Sequence, residues 1–240
     1  MLRLYHLLLG SILLVSIPVG AKFVLPQFSP PKAVKPPTVA KLPNSNQENI
    51  WQTILGSTAA PTNWQVYPCE GNAPLLCVSS KGKRLGTVEI NIYPLANNED
   101  FRKKLLAAGI PTASLVDYQS PKYQTQLLPV LKTWVVDHYA ALAKDRQSEY
   151  GKEIIFSAYP PQPVPIGKLQ GIRYGFAGLK RQGGVQEQHI GHVAFDGTTL
   201  YIMTTAFDTG TQTGKFDKLE NLAIFQPYLY AIAADLHLPQ

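Results

Sequence analysis

An α+β fold, a central antiparallel sheet flanked by helices, follows from three stretches of this 240-residue chain. Residues Leu169 to Phe207 read as three consecutive antiparallel strands. In the first, Ile172, Tyr174 and Phe176 point one way and Gly171, Gly175 and Ala177 the other, the period of two that marks a strand. Gly183-Gly184 and Asp196-Gly197 are dipeptides suited to the tight turns between strands. The second stretch is a helical stripe near the C-terminus, where Leu222, Phe225, Leu229, Ile232 and Leu236 recur at spacings of three and four. The third is a helix from Asn98 to Gly109, with Asn98 as N-cap, Glu99 and Asp100 in the first turn and Gly109 as the stop. The small-residue face of the first meander strand calls for something packed close over it, and the C-terminal helix is the natural occupant.

Three segments divide the chain. Residues 1–24 hold an apolar run with Arg3 before it and Val19-Gly20-Ala21 after it, the spacing of a signal-peptidase site. The run is also nearly long enough to remain as a membrane anchor. Residues 25–47 carry six prolines between Pro26 and Pro43. They favour an extended spacer of about 3 Å per residue, roughly 50 Å in all. Residues 48–240 form one globular domain. The lysines that follow the apolar run bias its charge against export, whereas the cysteines argue for it.

The net charge of +6 belongs to the tail. All 16 acidic residues lie at Glu48 or later, together with 17 of the 22 basic ones, so the domain carries about +1. That excludes a nucleic-acid binder, which needs a concentrated basic surface.

In order, Glu48 to Ser57 reads as a short helix and Trp64 to Tyr67 as the first strand. Leu75 to Ser80 and Leu85 to Tyr93 follow as a hairpin turning at Lys81-Gly82-Lys83. A long helix runs from Pro121 to Tyr150 with an apolar stripe at Leu127, Leu131, Trp134, His138 and Leu142, and Pro129 either kinks it or marks its start. Glu153 to Tyr159 is a strand, followed by a loop with Pro160, Pro161, Pro163 and Pro165. Asp217 to Glu220 resembles a capping box opening the last helix, which Pro227 divides in two.

Cys69 and Cys77 are the two cysteines. An even count behind a signal-like segment reads as a disulfide. A redox pair fits poorly, since the spacing is not Cys-x-x-Cys; free core thiols are the remaining alternative. No nucleophile elbow, zinc-protease, P-loop or dinucleotide motif is present, so no enzyme is expected. Ser80-Lys81-Gly82-Lys83 matches Ser-x-x-Lys by letter only, because it straddles a strand end and a turn. Glu187 and His189 share a strand face, and Asp196 lies at that strand's end; these three are the metal or proton-transfer candidates. His192 faces the other way. His138 reads as a partly buried core histidine, and Tyr174, Phe176, Tyr201, Phe225 and Tyr228 as core rather than a ligand platform.

The order of these elements resembles the PsbP-like family, extrinsic proteins of the oxygen-evolving photosystem and their bacterial relatives. The resemblance rests on the Trp-x-Val-Tyr strand at Trp64 to Tyr67, the early hairpins, the Gly- and aromatic-rich meander and the closing amphipathic helix, over Asn63 to Leu238. It implies an α/β/α sandwich, a periplasmic or thylakoid-lumenal location, and a non-catalytic role at a membrane protein complex, with photosystem assembly or stabilisation as the first expectation. Some members bind divalent metals, but no ligand positions carry over, and the cofactor is unassigned; the alternative, a small-ligand or metal carrier, would use the concave sheet face near Glu187 and His189. Three departures stand. No lipid-anchor cysteine follows the apolar run, the Cys69/Cys77 pair is unexpected in the family, and the helix from Pro121 is longer than expected.

Overall fold

Among the described residues, seven strands make one antiparallel sheet in the order β1-β2-β3-β7-β6-β5-β4. They are β1 Trp64–Pro68, β2 Leu75–Ser80, β3 Lys83–Pro94, β4 Ile154–Ile166, β5 Leu169–Lys180, β6 Val185–Phe195 and β7 Thr199–Phe207. The computed structural model describes residues 48–112, 117, 118 and 120–239. The proposed signal or anchor (1–24) and the spacer (25–47) lie outside the described residues. Among the described residues no helix is long and apolar enough to cross a membrane.

The sheet is two meanders joined at the centre. β1, β2 and β3 form the early hairpins; β4 to β7 form a second run, and β3 pairs with β7. Helices α1 (Trp51–Ile54) and α4 (Leu219–Ala234) cover one face, around Trp51, Leu76, Ile90, Met203, Phe225 and Leu229. Helices α2 (Glu99–Ala107) and α3 (Pro121–Tyr150) cover the other, around Phe101, Leu131, Ile172, Val193 and Phe195. The alternation predicted for β5 sets this division, because Ile172 and Tyr174 enter the α2/α3 core. The result is an α+β domain with an α/β/α layer order.

Local chemistry explains most boundaries. Asn98 accepts from Phe101 N at 3.1 Å and caps α2, and Gly109 leaves it at φ +73°. Pro121 is the first residue of α3, although Ser120 gives no side-chain cap bond. The turn before β3 is made by Lys81 and Gly82, both at positive φ.

Four sequence expectations change. α3 runs unbroken through Pro129, and α4 runs unbroken through Pro227. In both, the proline and the residue four before it (Thr125, Ala223) are exposed, so water satisfies the freed carbonyl. The four-proline loop is part of β4, which continues to Ile166. β4 is an edge strand, where a missing N–H can face solvent, and the two adjacent prolines sit at a register shift between Tyr159 and Gln162. Asp217 does not cap α4: its N–H donates to Leu85 O at 3.2 Å, and Lys218 is the N-cap without a side-chain bond. Finally, the small face of β5 is filled from its neighbour β4. A Cβ on Gly171 would lie 2.4 Å from Ile166, and one on Gly175 would lie 2.8 Å from the Tyr159 ring.

Cys69 and Cys77 are joined by a disulfide, with Cα atoms 5.1 Å apart. The bond staples the loop between β1 and β2. Replacing both cysteines by serine should lower unfolding free energy by about 2–3 kcal/mol, measured by urea unfolding under non-reducing conditions.

Candidate functional site

β6, β7 and α3 bring four ionisable side chains together at one end of the α2/α3 face. Glu187 and His189 lie two apart on β6, so both point to that face. Gly178 pairs with Glu187 and leaves room for it; a Cβ there would meet Glu187 Cγ at 3.0 Å. Asp208 follows the last residue of β7, and Arg146 reaches in from the final turns of α3. Arg146 Nε donates to Glu187 Oε2 at 3.0 Å and Nη2 to Asp208 Oδ2 at 3.0 Å. His189 Nε2 is 2.8 Å from Glu187 Oε2 and 3.6 Å from Asp208 Oδ2. The carboxylates of Glu187 and Asp208 are each 1% exposed, and the Arg146 side chain 14%. His189 stacks on Phe176 with ring centres 4.2 Å apart.

Arg146 offsets part of the negative charge buried in this cluster. Burial pushes the Glu187 carboxyl up, but the hydrogen bond and charge of His189 and those of Arg146 outweigh it and hold Glu187 below its ordinary range. One guanidinium faces two buried carboxylates, so a protonated His189 or a bound cation would complete neutrality. Glu187 Oε1 is buried without a hydrogen-bond partner among the described residues. One donor atom from each of Glu187, His189 and Asp208 lies within 4.8 Å of the others, a spacing open to a divalent ion.

Of the sequence candidates, Glu187 and His189 are together and Asp196 is not among them. Asp196 sits in the β6–β7 turn at the other end of β6. Its Oδ1 accepts from Thr198 N at 2.7 Å and Thr199 N at 2.8 Å, and its Oδ2 accepts from the Tyr201 hydroxyl at 2.8 Å. It is a turn former; nine residues of extended strand, about 30 Å, separate it from Glu187. Asp208 takes its place. Arg146 and Asp208 were missed, yet Arg146 carried a signal: the α3 stripe at His138 and Leu142 continues, four residues on, to Arg146.

A fully buried histidine lies on the opposite face. His192 is 2% exposed, against the Tyr230 ring at 5.6 Å and opposite Arg173 in register. Burial, helped by the charge of Arg173, pushes its pKa down to about 3. The unfolded chain binds this proton near the ordinary value of about 6.5 and the folded protein does not, so stability is fully present above that pH and falls on the way down to about 3. Between pH 7 and pH 5, His192→Gln should remove about 2 kcal/mol of the wild-type loss of stability, read from urea unfolding at both pH values.

These features define the class: a disulfide-stapled α/β/α domain with a buried Arg–carboxylate–His cluster. No family model matches the chain, and no curated protein does. Among solved structures, the solution structure of cyanobacterial PsbP (CyanoP) from Synechocystis sp. PCC 6803 is similar, at 10% identity and a TM-score of 0.38. The similarity covers 75% of this chain and 84% of that one.

Proposed function

We propose that this chain is an extracytoplasmic, non-catalytic binding domain, exported or held at a membrane by residues 1–24 and docking on a membrane protein complex through residues 48–240. The Cys69–Cys77 disulfide carries the reading, because such bonds persist in oxidising compartments. The buried cluster is compatible with it: Arg146 ion-pairs with both carboxylates, as in a structural charge network. A photosynthetic complex is the first partner to test, on the sequence resemblance alone. The experiment is affinity capture of tagged protein from gently solubilised native membranes, against a control carrying residues 1–47. Enrichment of membrane-complex subunits over that control supports docking by the domain; recovery of the protein alone removes it. Peptide mapping of native protein without reductant should find Cys69 bonded to Cys77, and two alkylatable thiols would remove the extracytoplasmic placement.

The orphaned Glu187 Oε1 favours a second reading, a divalent-metal carrier using Glu187, His189 and Asp208. Arg146 would have to move outward as the ion enters, and its exposed neighbours Asp145 and Glu149, 3.3 and 3.4 Å away, could receive it. Titration calorimetry with Ca²⁺, Mn²⁺ and Zn²⁺ should then show saturable heat that Asp208→Asn abolishes. A flat response to all three ions excludes the carrier.

A further inference from the structure

The opposite face of the sheet holds a recess of about 330 Å³ between β4, β5, β6 and α4, the size of a small-ligand site. Tyr159 and Gln162, on either side of the β4 register shift, form one wall; Gln226 and Tyr230 of α4 form the other. Gly175 helps seat the Tyr159 wall, since a Cβ there would lie 2.8 Å from the Tyr159 ring and 2.6 Å from His189 O.

Arg173 is the charged group of this recess, and no carboxylate lines it. The guanidinium lies over the Tyr230 ring, its carbon 4.0 Å from the ring centre. One N–H donates to Gln162 Oε1, and the rest of the fork has no acceptor among the described residues. The Tyr230 hydroxyl accepts from Gln226 Nε2, which leaves its own O–H free to donate. Beneath them His192 is neutral at physiological pH, and its Nδ1 is buried without a partner. An arginine with one face stacked and a single N–H engaged keeps donors for a carboxylate. Two phenol rings beside it suit a flat apolar body.

We propose that this recess binds a small aryl carboxylate, its carboxylate on Arg173 and the Tyr230 hydroxyl and its ring against Tyr159. The inference is independent of the metal reading, which uses the other face of the sheet.

Calorimetric titration of the full chain with benzoate, benzamide and inorganic phosphate tests it. Saturable benzoate binding is expected, with benzamide and phosphate each weaker by about tenfold or more, the worth of a charge-assisted bond or of ring contact. Arg173→Met should lose benzoate by a similar factor, while Lys103→Met, exposed on α2 over the other face, should keep it. Absence of saturable benzoate binding, equal binding of benzamide, phosphate as tight as benzoate, or full affinity in Arg173→Met each overturns the proposal. If Arg173→Met does not fold, the benzoate–benzamide comparison on wild-type protein decides.

Discussion

Arg146→Met is expected to destabilise the domain by about 3–5 kcal/mol at pH 7. The methionine keeps much of the stem's packing, so the loss isolates the charge. Arg146 holds Glu187 and Asp208 through separate nitrogens, both at 3.0 Å, and both carboxylates are almost fully buried. Without it two anions remain desolvated with only His189 nearby. The sign of the pH dependence should change with the substitution. Wild-type Glu187, held below its ordinary range, contributes stability that is present above that range and lost as pH falls through its lowered folded value. In Arg146→Met the carboxyls prefer their protons, so the variant should regain relative stability as pH falls from 7 toward 5. Adding Glu187→Gln and Asp208→Asn to the variant should recover most of the loss, because neutral amides cost less to bury unpaired. Urea unfolding across that pH range measures all three; a loss below about 1 kcal/mol at pH 7 would show that the cluster is wetter than its burial indicates.

Trp51→Ala should cost a comparable 3–5 kcal/mol or so. Trp51 is fully buried at the start of α1, a single turn that has no stability of its own. The indole fills the α1/α4 core, and its Nε1 donates to Pro74 O at 3.0 Å. Two residues earlier, Asn49 donates to Cys69 O at 2.9 Å and Leu75 O at 2.8 Å. The domain's first described residues are therefore clamped onto the disulfide-bonded hairpin. Loss of the indole removes the largest side chain of that clamp and one of the two donors to Pro74 O, leaving only Ile90 N at 3.0 Å. Thermal unfolding should show the destabilisation, and hydrogen exchange should show residues 48–57 opening ahead of the sheet.

Much of the fold was legible because its local signals agree. The β5 alternation, the Asn98 cap, the Gly183-Gly184 and Asp196-Gly197 turns and the α4 stripe each depend on neighbours a few residues away, and each stands where the sequence places it. The misreadings share a cause. Pro129, Pro227 and the β4 prolines break regular structure only where their missing N–H or freed carbonyl is buried, and burial is a property of the assembled layers. Asp217 looks like a cap by spacing, but its backbone is taken by Leu85 of β3, 132 residues earlier in the chain.

The candidate site divides in the same way. Glu187 and His189 were readable as a pair because period two puts them on one face. Asp196 was read with them because it ends the same strand, but a strand is straight and its end is far from its beginning. Asp208 and Arg146 reach the site through the β6–β7 hairpin and the crossing of α3. The sequence by itself determined the α+β class, the pairing of β5 with β6 and β6 with β7, the faces of the helices and the near-neutral charge of the domain. Only the tertiary structure decided that β7 lies beside β3, that Arg146 binds both buried carboxylates and that Arg173 faces an acid-free recess. Local periodicity specifies which way a side chain points, whereas the partner it meets depends on contacts between segments tens of residues apart.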